Sequence, residues 1–384
     1  MRPRRLRTRG AVAALAGTLL ALSAGQTAVA ARATAADPAP RTAATVSAAQ
    51  DQAARAIARS LTDSTWRARL QRAALTSDEV PVTALAAREA GPLKATLAAA
   101  DRRITSAKGL DATAGSLLRL RLGADAMRAA LRSGTTPWVA AATSDDDART
   151  LVAYDSRGRS HTLDAHDTPA RPVYVVDIDS SAALAAGLDV LSDRLNRYGL
   201  RSTGPDARPR VVHAAGARTA GGGFWTSRIT AVELSDDEEP WAKGDAEIYT
   251  LVTGFGQDGT VRVDPVDMPY LDHDGTVYRP NQILVNWSNY KYDLADAVMM
   301  EEDGSTDYRD LAKAIATALL TITDQGTYIP LVNAVLDAIP DDWWTDDPDY
   351  VDSWYTLARS DTGTRYGARG NGWMTVEPYF VQEL

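Results

Sequence analysis

The chain has 384 residues, no cysteine, and 41 Lys and Arg against 50 Asp and Glu, for a net charge of −9. The missing cysteine excludes thiol catalysis, disulfide staples and a lipid-modified N-terminal cysteine, while the length leaves room for two or more domains with real cores. The acids are concentrated, since residues 234–362 hold 27 Asp and Glu against 7 Lys and Arg. Such a field repels phosphates, so nucleic acid is excluded as a partner of this half, and docking on an anionic membrane surface is not expected.

In chain order, "MRPRRLRTRGAVAALAGTLLALSAGQTAVA" carries five arginines in its first nine positions, then an apolar core from Ala11 to Leu22 and small residues at Ala28 and Ala30. This pattern predicts a secretory signal peptide over 1–30 and an extracellular destination, because the core is too short to cross a bilayer. Arg4-Arg5 leaves the general and the twin-arginine export routes both open. The Ala- and Arg-rich wording fits a bacterial protein, and no other stretch reaches the ~18 apolar residues of a membrane span. Residues 31–45, rich in Ala, Pro and Thr, read as a flexible tether.

From 46 to 135 the pattern is helical. Val46, Ala49, Ala53, Ile57 and Leu61 recur at helical spacing, Trp66 and Leu70 open a second helix, and Leu85–Ile104 and Leu117–Leu131 supply two more. Residues 136–200 read as a small β unit plus a helix, with a hairpin turn at Asp155-Ser156-Arg157-Gly158 and an amphipathic helix from Ser181 to Tyr198. Residues 201–223, ending in three glycines, read as a linker.

From 224 to 384 six short strand candidates follow: "GFWTSRITAVELS", "AEIYTLVTGFG", "TVRVDPVDM", "QILVNWS", "DAVMM" and "GWMTVEPYF". Their spacing predicts an antiparallel β-sandwich. A helical insertion over 308–340, with stripes at Leu311, Ile315 and Leu319 and at Val332, Val335 and Ile339, is expected to cap one end of it. The class expected for the whole is α+β and multidomain.

Three acidic groups punctuate the sandwich: Asp236, Asp237, Glu238 and Glu239 with Asp245, then "YLDHDG" at 270–275, then "MMEEDGSTDY" at 299–308. In the first and third, acids stand at a strand end and an Asp opens the next element. If folding brings these two to one rim, each like-charge pair near 4 Å costs on the order of 4 kcal/mol at an effective dielectric of 20. A hard cation relieves that repulsion. Calcium accepts six to eight oxygens in forgiving geometry, magnesium demands a stricter shell, and zinc prefers His or Cys.

"KGDAEIYTLV" resembles the first calcium loop of C2-type domains, and "AVMMEEDGSTDYRDLAKA" resembles their third loop. The resemblance implies a C2-like sandwich, with Asp237 and Asp245 as first-loop ligands and Glu301, Asp303 and Asp307 as third-loop ligands. Asp236 belongs to the same acidic run and joins the candidate calcium set. Glu301 stands where the family prefers Asp, the gap from Asp303 to Asp307 is short, and the helical insertion is foreign to the family. A longer resemblance rests on "MPYLDHDGTVYRPNQILVNWSNYKYDLADAVMMEEDGSTDYRDL" and "IPDDWWTDDPDYVDSWYTLARSDTGTRYGARGNGWMTVEP". These segments resemble an exported bacterial family known only as domain of unknown function 3103, which implies a compartment and no activity.

Two weaker signals remain. "DHDG" reads equally as a calcium loop opening or as an ordinary turn, with His273 as a solvated turn residue. "IPDDWWTDDPDYVDSWY" reads as an aromatic platform for sugars or basic peptides, or as an acidic loop anchored by its aromatics, and the anchored loop is the plainer reading. Catalytic signatures are lacking: no His-Glu-x-x-His pair, no Gly-x-Ser-x-Gly elbow, no phosphate loop and no dinucleotide fingerprint occurs. The leading expectation is therefore a secreted calcium-binding module, binding or structural in role, with no catalytic residue assigned. The alternative is a secreted hydrolase of polysaccharide or peptide with acidic catalytic residues, whose carboxylates need not be close in sequence.

Overall fold

A computed structural model describes residues 39–384 apart from 90, 144–147, 204–221, 236–240, 242–246, 274, 303, 305, 340–349 and 383–384, and all their side chains except those of 39–41. The expected signal peptide, the tether up to residue 38 and most of the linker lie outside the described residues. Among the described residues no helix is long and apolar enough to cross a membrane.

Helix α1 (Ala39–Ser60) buries the expected stripe of Val46, Ala49, Ala53 and Ile57. It begins ahead of Val46, because the Ala-rich stretch contains nothing to stop it and Pro40 sits in the first turn, where a missing N–H costs little. Asp63 caps α2 (Ser64–Thr76) by accepting from the N–H groups of Thr65 and Trp66 at 2.8 and 3.0 Å. Then come α3 (Val82–Leu85), α4 (Pro92–Ala107), entered through Gly91-Pro92, and α5 (Arg128–Arg132).

The helix expected over Leu117–Leu131 is mostly absent. In its place stand strand β2 (Leu118–Leu122), which pairs with β1 (Glu79–Val80), and the short α5. The reason is periodicity: Leu118 and Leu120 alternate with Arg119 and Arg121, so a strand buries the leucines and a helix would scatter them. On the polar face Arg119 pairs with Asp179, and Arg121 meets Asp177 at 3.0 Å.

The first sheet continues with β3 (Trp138–Ala141), β4 (Thr150–Tyr154), β5 (Ser160–Asp164) and β6 (Val173–Ile178), in the order β1-β2-β6-β3-β4-β5. Only β3 and β6 run parallel. The predicted turn closes the β4–β5 hairpin, with Gly158 at φ 79°. Helix α6 (Ser180–Tyr198) starts one residue before its predicted position and ends on Gly199 in the left-handed region.

All six predicted strands form: β7 (Gly223–Leu234), β8 (Glu247–Phe255), β9 (Val261–Asp267), β10 (Gln282–Asn286), β11 (Leu294–Glu302) and, after β12 (Tyr350–Ala358) and β13 (Gly363–Tyr366), β14 (Gly372–Gln382). They build two antiparallel four-stranded sheets, β10-β7-β14-β13 and β12-β11-β8-β9. Ile229, Val232 and Met374 of one sheet share a core with Val252, Ala297 and Trp354 of the other.

The helices of the insertion, α7 (Tyr308–Leu319) and α8 (Val332–Leu336), do not cap an end of this pair of sheets. With α6 they cover the far face of β12-β11-β8-β9, where Leu251, Phe255, Val298 and Met300 meet Leu188, Ile315 and Val335. Strand β8 is consequently buried on both faces: Ile248 and Val252 point to the partner sheet, Tyr249 and Leu251 to the helices. One core runs on from there through α1 and α4 to the first sheet. The α6–α7 contact is close enough that a Cβ on Gly187 would stand 2.1 Å from the Tyr308 ring. Asp296 ties the insertion down, its buried carboxylate accepting from the N–H of Leu331 at 2.5 Å and of Thr356 at 2.7 Å.

Candidate functional site

Two strand ends next to the acidic stretches meet in the ladder. Strand β8 begins at Glu247, strand β11 ends at Glu302, and these two residues are direct partners in the ladder. The segments carrying Asp245 and Asp303 therefore join adjacent strands at one rung, although 57 residues of chain separate the two positions. Asp236, Asp237, Asp245 and Asp303 themselves lie outside the described residues. Trp241, which is described, sits half-buried on the first sheet. Its carbonyl accepts from Arg121 Nη1 at 3.1 Å, and its ring lies so close to Gly123 that a Cβ there would come within 2.7 Å.

Strand alternation sends the acids of β11 in opposite directions. Glu301 is the partner of Ile248, a core residue between the two sheets, so it points to that side. Glu302 points to the helices and is completely buried, against Lys108, which is itself 0% exposed. Its carboxylate also accepts from the Gly304 N–H at 2.9 Å and from the Tyr308 hydroxyl. The Lys108 ammonium lies 5.7 Å from the Tyr308 ring centre, and the Lys108 carbonyl accepts from the Tyr308 N–H at 3.2 Å. A lysine thus neutralises the innermost acid of the rim. It was detectable in sequence: Lys108 continues the apolar stripe of Leu97, Ala100 and Ile104, and a lysine in that register has to find a buried anion.

Glu247 is held differently. One oxygen accepts from the Ser181 hydroxyl at 2.5 Å in the first turn of α6, and the other is buried with no partner among the described residues. Burial pushes this carboxyl up to about 7, Ser181 and Ser180 oppose the shift, and Glu302 and Glu79 add to it. Asp307 caps α7, accepting from the N–H groups of Arg309 and Asp310 at 2.9 and 3.3 Å. Burial holds its carboxyl above the usual range, and Asp310 reinforces that. Its oxygen packs on Gly109, where φ is 66° and a Cβ would fall 2.3 Å away.

The structure therefore does not bring Glu301 and Asp307 to a common face. Among the described residues no group of three or more His, Asp or Glu is arranged to hold a metal ion. In the "DHDG" segment Asp272 accepts from the Tyr278 hydroxyl at 2.6 Å and Gly275 turns at φ 59°, which makes a turn of the described part, while Asp274 lies outside it. Of the aromatic segment, Trp343 and Trp344 lie outside the described residues. Trp354 is buried on β12, and its indole N–H donates to the Arg365 carbonyl at 3.1 Å. His161 stacks on Trp138 at 4.0 Å, 3.3 Å from Asp155, within the β4–β5 hairpin.

The architecture is that of an α+β protein with one mixed and two antiparallel sheets. Residues 49–384 match the family model described as "Protein of unknown function (DUF3103)", and the chain belongs to that family. No curated protein and no solved structure matches it.

Proposed function

We propose that the chain is an exported binding or structural module, without catalysis, in which a C2-like rim formed by the segments before β8 and after β11 takes up calcium. The observation that supports this reading is the Glu247–Glu302 rung, since Glu247 directly follows one carboxylate-rich segment and Glu302 directly precedes the other. Inside the rim Lys108 and Ser181 already serve Glu302 and Glu247. The carboxylates that remain for an ion are those of Asp236, Asp237, Asp245 and Asp303, since Glu301 faces the partner sheet and Asp307 caps α7. Such an all-oxygen donor set suits calcium. Export rests on the pattern of residues 1–30, and calcium would then supply the cross-link that a cysteine-free chain lacks.

Melting the protein in EDTA and in added calcium tests the proposal. Calcium at 100 times its dissociation constant stabilises the fold by about 2.7 kcal/mol. Asp245→Ala and Asp303→Ala are each expected to abolish that shift, and Asp349→Ala to leave it intact. An unchanged melting temperature in the unsubstituted protein overturns it.

A further inference from the structure

Beside the rim, α1, α4 and the start of α7 border an open surface cleft of ≈ 600 Å³. The buried stripe of α4 (Leu97, Ala100, Ile104) faces the core, which leaves Arg102, Arg103 and Ser106 along its outer edge. These three line the cleft together with Thr45 of α1 and with Asp307 and Asp310 at the opening turn of α7. Two guanidinium groups and two carboxylates thus border one space, and no ion pair joins them among the described residues. Arg103 donates to Gln52 at 3.1 Å, and Asp307 serves as the cap of α7. Arg102 and Asp310 have no side-chain partner among the described residues.

Opposite charges that border a cleft without touching set a condition on its occupant. A simple anion meets Asp307 and Asp310, a metal ion meets the two arginines, and a neutral sugar leaves the charges of Arg102 and Asp310 unmatched. An occupant with an ammonium at one end and a carboxylate at the other matches both walls. Arg102 and Arg103 offer the forked donors that suit a carboxylate, and Asp310 accepts from an ammonium. The volume falls within the ~300–1,000 Å³ of small-molecule sites, which is more than one amino acid fills. The Ser106 hydroxyl can meet a peptide group lying between the charged ends. We infer that this cleft binds short zwitterionic peptides, with the free carboxylate at Arg102 and Arg103 and the free ammonium at Asp310.

The inference does not depend on calcium, so its test is run on the full chain in EDTA. Alanyl-alanine titrated calorimetrically is expected to bind saturably at one site. N-acetyl-alanyl-alanine and alanyl-alanine amide, each with one charge removed, are expected to bind at least about tenfold more weakly, the factor that about 1.4 kcal/mol represents. Arg102→Ala and Asp310→Ala are expected to weaken alanyl-alanine to a similar degree, while a melting curve matching that of the unsubstituted chain shows the fold intact. Absence of saturable binding overturns the inference, as does equal binding of the blocked peptides or unchanged binding by both variants.

Discussion

Glu302 and Asp352 are buried carboxylates at the same end of the same sheet, on neighbouring strands β11 and β12, and they are held in opposite ways. Asp352 is the partner of Met299, a residue of the core between the two sheets, and so faces that side. There it accepts from four backbone N–H groups, of Ser353, Arg369, Asn371 and Gly372, at 2.8–2.9 Å. Among the described residues no cation enters this arrangement, and the dipoles of the β13–β14 connection supply the positive end. Glu302 faces the helices and depends on one lysine ammonium, one tyrosine hydroxyl and one N–H. A carboxylate solvated by backbone is distributed over many weak partners, whereas one solvated by a lysine hangs on a single side chain from a distant part of the chain.

The largest effect is therefore expected at Lys108. Lys108→Met strands the Glu302 charge in the core and should cost about 3–5 kcal/mol in urea unfolding, whereas the double variant with Glu302→Gln should recover part of it. A loss below about 1 kcal/mol for the single variant would show that the two carboxylates are equally well served without the lysine. Asp352→Ala leaves four donors to find water or go unpaired. It should cost about 3 kcal/mol, measured in the same way. If it costs more than Lys108→Met, the contrast between the two is reversed.

The smallest effect belongs to Glu247, which has neither kind of support in full. Its carboxyl titrates at about 7 in the fold against an ordinary value of 4.5. Between those values the folded state holds the extra proton, so the contribution of Glu247 to stability declines as pH rises from about 4.5 to 7. Glu247→Gln should flatten that part of the stability–pH curve. A slope that persists in the variant would assign it to another group.

What the sequence disclosed depended on how many partners each residue needed. Strands β8 and β11 were legible because Ile248, Val252, Val298 and Met299 are apolar whichever face they take. Their pairing was not legible: the matching layout of two acid-rich segments suggested only a shared rim, and it is the ladder that places Glu247 opposite Glu302. Strand β2 was misread because Leu117, Leu118 and Leu131 also satisfy a loose helical spacing, and the deciding feature was the alternation with Arg119 and Arg121. Strand β12 was hidden by its acids: Asp352 reads as a loop residue until the four N–H groups that receive it are known. The partnership of Lys108 with Glu302 is a fact of tertiary structure, and no local pattern names the partner.

The Lys108–Glu302 pair also constrains the order in which the protein can acquire its structure. Its members are 194 residues apart in the chain, so α4 cannot seat its lysine until β11 is in place. Closing so long a segment is entropically slow compared with winding the helices, and every non-local rung that precedes it adds to the delay. An N-terminal portion emerging alone has no Glu302 to offer Lys108.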